Sequence, residues 1–223
     1  DVIVALHYDK HIKGKTPAQL LQSVRDALAE WRTGARKNGQ AVTLYYKTWP
    51  NVDIVPVSRT VKDDGTLLHY NVPDSNTNSW INSKPKAHAA DIEKKSTDCG
   101  YNFRRIIKMM KHWSRIHGDY LQSYHIEVLA MRIFNSNIDD TPWNVFQFFD
   151  KARPLLASSL WHDLGFVDDY LKWTDRQEVL KRFDTAIDKS RSAWNKTYDK
   201  NSDHKGAIEI WKQIFGDKFP AYG

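Results

Sequence analysis

The sequence predicts an α+β protein in two parts, a strand-rich first part and a helical second part. Three observations carry that prediction. Short strand-like runs at residues 2–6, 42–47, 52–57 and 66–72, the first mostly β-branched and apolar, all fall in the first third of the chain. From about residue 86 onward, apolar residues recur at helical spacing instead. The stretch between them, 73–85, is polar and reads as a loop or a crossing between the parts, with domains at 1–85 and 86–223.

The elements follow in order. The run at 2–6, Val2-Ile3-Val4-Ala5-Leu6, has the pattern of a buried strand. Thr16-Pro17 then opens a helix, with threonine as N-cap and proline in the first turn, and Leu20, Val24, Leu28 and Trp31 share one face. Gly34 and Gly39 close that region. The strands at 42–47 and 52–57 are joined through Trp49-Pro50-Asn51, and Pro56 puts the end of the second near an edge or bend. Asp63-Asp64-Gly65 is a turn into the strand at 66–72.

In the second part, 101–117 is a strong amphipathic helix ending at Gly118, and 123–134 is another. Thr141-Pro142 repeats the cap-and-proline start ahead of Trp143, Val145, Phe146 and Phe149. Residues 174–197 and 207–215 complete the helices, the last stopped by Gly216 and Pro220. Of nine tryptophans, Trp113, Trp143, Trp161, Trp173, Trp194 and Trp211 sit mostly at helical spacing and read as core.

Composition narrows the function. With 223 residues the chain is long enough to bury a real core. Hydrophobic residues at 41% and charged residues at 27% fit a soluble protein, and exclude collagen-like, disordered and membrane-spanning classes. The single cysteine, Cys99, excludes an internal disulfide framework and a cysteine-based zinc knuckle, and fits a cytoplasmic setting. A net charge of +6 favours anionic partners such as nucleotides. The chain opens inside a strand without methionine or a signal-peptide pattern, and reads as a piece whose upstream residues are missing.

Two carboxylates stand out. Asp53 lies within Val52-Asp53-Ile54-Val55-Pro56, where alternation sets it on the face opposite Val52 and Ile54. A carboxylate inside an apolar strand is costly unless paired or metal-bound. It is either an edge-strand aspartate facing solvent or a basic partner, or a ligand for a cation. Asp1 heads another apolar strand in the same manner. Carboxylates on neighbouring strands can share Mg²⁺, and two-metal sites run in-line phosphoryl displacement.

On the helix over 101–117, Arg104, Lys108, Lys111 and Arg115 form one basic stripe. It is either a solvated face or a polyphosphate contact that relieves like-charge repulsion. Ser123 reads as the N-cap of the next helix, a plain cap or a phosphate site. Tyr124 is either core or a platform for a base. His125 has no spaced metal-ligand partner and reads as structural. No Walker loop, Gly-x-Ser-x-Gly or Gly-x-Gly-x-x-Gly occurs.

Read in order, these segments resemble the bacterial CD-NTases, cyclic-oligonucleotide synthases related to animal cyclic GMP-AMP synthase and the oligoadenylate synthases. Asp1-Val2-Ile3-Val4 resembles the end of an Asp-x-Asp strand, and Val52-Asp53-Ile54-Val55-Pro56 the strand of the third catalytic aspartate. Trp80-Ile81-Asn82-Ser83-Lys84-Pro85-Lys86-Ala87-His88 is similar to the segment that enters the helical lobe. Ile107-Lys108-Met109-Met110-Lys111-His112-Trp113 resembles the lysine helix, and Ser123-Tyr124-His125-Ile126-Glu127 the Ser-Tyr-His segment. Ala207-Ile208-Glu209-Ile210-Trp211, Phe215-Gly216 and Phe219-Pro220 resemble the family's closing motif.

The resemblance implies a polymerase-β-like nucleotidyltransferase core, a mixed sheet with flanking helices, plus a C-terminal helical lobe, with the active site in the cleft between them. It places the Gly-Ser loop and the first aspartate upstream of Asp1. It implies that Asp1 and Asp53 are catalytic and hold two Mg²⁺ or Mn²⁺ ions, and that Lys111, with Lys108, Ser123 and Tyr124, binds nucleotide. The implied activity is a metal-dependent synthesis of a cyclic di- or trinucleotide second messenger from NTPs, ATP among them, with release of pyrophosphate. A downstream effector in anti-phage defence would respond to the product, and a regulatory protein partner fits the same scheme. The alternatives are a template-independent RNA-end nucleotidyltransferase and a catalytically dead nucleotide-binding relative. Direct nucleic-acid binding is left open, and no membrane partner is expected.

Overall fold

The computed structural model describes residues 1–31, 34–48, 50–198 and 202–221. Trp49, which the sequence sets in a turn, lies outside the described residues. The chain divides into two compact units, Asp1–Ala87 and His88–Gly223.

In the first unit the strands are β1 (Val2–Ala5), β2 (Arg36–Asn38), β3 (Ala41–Leu44), β4 (Val52–Val61), β5 (Leu67–Asp74) and β6 (Ser79–Ser83). They form a mixed six-stranded sheet in the order β2-β3-β4-β5-β6, and β1 runs parallel to β4. The helix α1 (Pro17–Ala29) packs on β2, β3, β4 and β5. Thr16 caps it as the sequence predicts, in a full capping box with Gln19. A short π-helical turn, Tyr8–Ile12, has no counterpart in the sequence reading.

β4 organises the sheet because it changes partners along its length. Residues 52–54 pair with β3 and 58–61 with β5, while 54–57 pair with β1. Pro56 falls in the gap between the β3 and β5 ladders, where the missing N–H is not needed. It therefore marks a hand-over within a central strand, not an edge.

Other expectations are corrected here. The stretch 73–85 is not a loop: β5 continues into it, and β6 pairs Trp80 with Pro73 and Ile81 with Val72. Its polar residues are tolerated because β6 is an edge strand with water on one side. Val2 and Ile3 are 47% and 46% exposed, since β1 is paired along one side only. Trp31 lies beyond the end of α1 and is 88% exposed.

The second unit carries most of the core. Its helices are α2 (Pro85–Cys99), which begins at the end of the first unit, α3 (Asn102–Ile116), α4 (Ser123–Ile133), α5 (Thr141–Leu156), α6 (Trp173–Tyr198) and α7 (His204–Phe215). Phe103, Ile106, Met110 and Trp113 on α3 are buried. Trp113 meets Phe149 of α5 at 5.1 Å and Phe183 of α6 at 5.0 Å between ring centroids, edge-on. Gly118 takes φ +101° just after α3, a backbone that favours glycine.

This unit is not all helical, contrary to the pattern. Strands β7 (Trp161–His162) and β8 (Gly165–Phe166) form a small ribbon. Asp168 anchors it: one oxygen accepts from the Leu160 N–H at 2.8 Å, and the other meets the Arg176 guanidinium from α6. Trp161 and Trp173 are 52% and 73% exposed, so neither is core. Among the described residues, no helix is long and apolar enough to cross a membrane.

Candidate functional site

Asp53 reaches its position through register. Val2 pairs with Ile54 in the parallel β1–β4 ladder, so one step back Asp1 stands beside Asp53. Paired positions of parallel strands share a face, roughly 4.8 Å apart. Continued one residue past the end of β1, the register thus sets side by side two carboxylates that lie fifty-two positions apart in the chain.

Asp53 is half-buried in the middle of the sheet, not on an edge strand. It makes no ion pair among the described residues. Its one hydrogen bond comes from its β3 partner: Thr43 Oγ1 donates to Asp53 Oδ1 at 2.5 Å. Asn38 Nδ2 donates in turn to Thr43 Oγ1 at 3.3 Å. Thr43 is 4% exposed, so this relay from β2 through β3 fixes one oxygen of Asp53 from a buried position. Hard carboxylate oxygens suit Mg²⁺ or Mn²⁺. Among the described residues, no group of three or more His, Cys, Asp or Glu is gathered for a metal.

In the second unit, the basic stripe of α3 is divided. Arg104 is tied to α2, through Glu93 and through Ser96 Oγ at 2.8 Å. Lys108 and Arg115 are exposed. Lys111 turns toward α4, and its Nζ lies 2.5 Å from Glu127 Oε1. The other oxygen of Glu127 lies 2.6 Å from His88 Nε2. Burial pulls the Glu127 carboxyl up, but hydrogen bonds and charge from His88 and Lys111 outweigh it, and the group lies below the ordinary carboxylate range.

The His88 ring packs against Tyr124 at 4.8 Å, and His162 of β7 closes the group at 6.2 Å from Tyr124. Tyr124 is 40% exposed, which leaves part of its ring open. Burial pushes its hydroxyl pKa up, and the carboxylates of Asp163, Glu127 and Asp91 add to that. Ser123 is corrected by one position: Gln122 is the N-cap of α4 and Ser123 its first residue. Gln122 N–H is taken by Tyr170 Oη at 2.9 Å, which also meets His125 Nδ1 at 2.9 Å. Ser123 is exposed at the start of the helix, where N–H groups favour anions. His125 is 1% exposed, consistent with its structural reading.

Nothing in the sequence marks His88, Thr43 or Asn38 as site residues, and Glu127 stands there only at the end of the Ser-Tyr-His segment. The only signal for Glu127 was its place one turn after Ser123. A cavity of about 320 Å³ walled by Met109, Pro142, Val145, Ile208, Trp211 and Phe219 lies elsewhere in this unit. Its lining has no carboxylate, lysine or arginine, so it does not suit a phosphate.

Comparison with known proteins finds similarity to bacterial cyclic nucleotide synthases. Residues 1–96 match the model of the Second Messenger Oligonucleotide or Dinucleotide Synthetase domain, SMODS. The chain is similar to a probable cyclic nucleotide synthase of Bacillus cereus (strain VD146), at 24% identity over 191 residues, covering 82% of this chain and 56% of the relative. It is also similar to a cyclic AMP-AMP-AMP synthase of Acinetobacter sp. (strain ATCC 27244 / 9458), at 22% identity over 229 residues, covering 98% of this chain and 64% of that one. The chain thus spans less than two thirds of the length of these curated relatives. Among solved structures it is similar to CdnC of E. coli MS115-1 in a CdnC:HORMA-deltaN complex, with a TM-score of 0.72, 14% identity, and coverage of 98% of this chain and 76% of that one.

Proposed function

We propose that the protein makes a cyclic di- or trinucleotide second messenger from nucleoside triphosphates, with ATP among the substrates and pyrophosphate released. The observation that carries this reading is Asp53: a half-buried carboxylate in the central strand, with no basic partner among the described residues, beside Asp1. Such a group can serve as a cation ligand, and Mg²⁺ or Mn²⁺ suits the two carboxylates. When bound there, the ions offset the charge of the reacting phosphates.

The chain's own residues supply the rest. Thr43 holds Asp53 Oδ1, so the carboxylate is steadied to draw the proton from the acceptor hydroxyl as the hydroxyl oxygen bonds to the α-phosphate and pyrophosphate leaves. Lys111, with exposed Lys108, meets the donor triphosphate, and Ser123 adds a hydroxyl at a helix N-terminus. The open part of the Tyr124 ring stacks on a base, worth about 1–3 kcal/mol. The adenylate product named for the Acinetobacter relative supports ATP as a substrate. The HORMA complex of CdnC supports a regulatory protein partner. A cytoplasmic setting and an effector role in anti-phage defence complete the reading.

The test incubates the full natural chain with all four labelled NTPs and Mg²⁺ or Mn²⁺, alone and with a HORMA-type partner, then applies phosphatase. A phosphatase-resistant product is expected, and Asp53→Asn should slow its formation by about 10²–10⁴-fold. Extension that requires added RNA would move the assignment to an RNA-end nucleotidyltransferase. Nucleotide binding without any product, partner present, would make this a binding relative.

A further inference from the structure

Lys111 is an odd choice for a phosphate contact, because its charge is already matched. Its ammonium lies 2.5 Å from Glu127, and both side chains are 23% exposed. A carboxylate this close to a bound polyphosphate repels it, and the effect is large where water is partly excluded. On electrostatic grounds alone, Glu127 weakens the subsite it adjoins.

The surroundings of Glu127 suggest why it is kept. Its second oxygen is held by His88 Nε2 at 2.6 Å, and the His88 ring is steadied by Tyr124 at 4.8 Å. If Lys111 swings away, the half-buried carboxylate still has a partner. A carboxylate stripped of every partner at this depth would be strongly disfavoured. Two partners on two oxygens make release of one feasible.

We propose that Glu127 is the exchange partner of Lys111: it holds the ammonium while the donor subsite is empty, and yields it to an incoming polyphosphate while His88 keeps the carboxylate in place. This rests on the reading of Lys111 as a donor-triphosphate residue. It also gives the subsite a way to empty. After transfer, Glu127 reclaims Lys111 from pyrophosphate, and the next donor can enter, as repeated transfer requires. Glu127 is a positioning residue that acts through Lys111 and touches no reacting atom.

The test uses Glu127→Gln, which keeps the shape and removes the charge. Calorimetric titration of the full natural chain with inorganic tripolyphosphate and with pyrophosphate should give about three- to tenfold tighter binding in the variant. Pyrophosphate should also inhibit product formation at a correspondingly lower concentration. A merely structural role predicts the opposite sign. Adding Lys111→Ala to Glu127→Gln should erase the gain. Unchanged or weaker binding by Glu127→Gln, at an unchanged melting temperature, overturns the exchange. Should that variant not fold, the unaltered protein with ¹³C-labelled glutamate carboxyls decides: tripolyphosphate must shift the Glu127 resonance, and no shift overturns the proposal. The underlying reading fails separately, if Lys111→Ala alone binds ATP as tightly as the unaltered protein.

Discussion

Asp53 and His125 show what a single residue does and does not reveal. Asp53 was legible as a candidate because a carboxylate among Val52, Ile54 and Val55 breaks the composition of a strand. Its support was not, since nothing in the sequence ties Thr43 to it. Thr43→Val should cost about 1 kcal/mol of stability and slow product formation, because a buried hydroxyl that fixes Asp53 is lost. Chemical denaturation and initial rates check the two effects. His125 is held neutral: burial pushes its pKa down to about 4, well below the ordinary histidine value. The unfolded chain therefore takes up a proton at higher pH than the native one. The resulting stability is present in full above about pH 6.5 and is lost as pH falls toward 4, at about 1.4 kcal/mol per pH unit. Denaturant unfolding at pH 7 and pH 5 should show this loss, and His125→Phe should flatten it. The Glu127 cluster was invisible for a simple reason. Its partners lie 39 and 16 residues away along the chain, and only the packing of helices joins them.

At the scale of the element, periodicity gave existence and type well, and ends less well. The helix predicted over 174–197 is α6, Trp173–Tyr198, and that over 101–117 is α3, Asn102–Ile116. Caps slipped by one residue where two polar residues competed. Thr141-Pro142 reads as the start of a helix, but Asp140 is the N-cap of α5 and accepts from the Trp143 N–H at 2.9 Å. The aspartate wins because it also takes the Trp194 indole N–H, at 3.1 Å, with its other oxygen. Asp140 thereby joins α5 to α6. Asp140→Ala should destabilise the protein by about 1–2 kcal/mol, the loss of a cap and of a second hydrogen bond. A fall in the denaturation midpoint with an unchanged slope checks it, and no change would mean the cap is replaced by water. The strand β6 was missed because Trp80 and Ile81 are framed by Ser79, Asn82 and Ser83. An edge strand can afford that polarity, and pattern alone reads it as loop.

Over the whole molecule, the two units differ in how much they bury. The helical unit encloses one continuous core built on α3, α4, α5, α6 and α7. The first unit has a far smaller cluster around Leu21, Ala35 and Val42. Local stability follows buried apolar contact. Amides of α5 and α6 should therefore exchange with solvent more slowly than those of β3 and β4 in native-state hydrogen exchange. Strands that outlast the helices would contradict this account.

The sequence by itself determined the α+β division, most of the helices, the capping box at Thr16, and the aspartates and lysines worth testing. Those features rest on local propensity, short-range periodicity and residues that violate their surroundings, all of which are written in neighbouring positions. Only the tertiary structure decided that β4 is central, that Asp1 stands beside Asp53, that Thr43 supports Asp53, and that Glu127 stands between Lys111 and His88. Strand register and helix packing bring together residues far apart in the chain, and the energy that selects those pairings is spread over the whole core rather than lodged in any one segment.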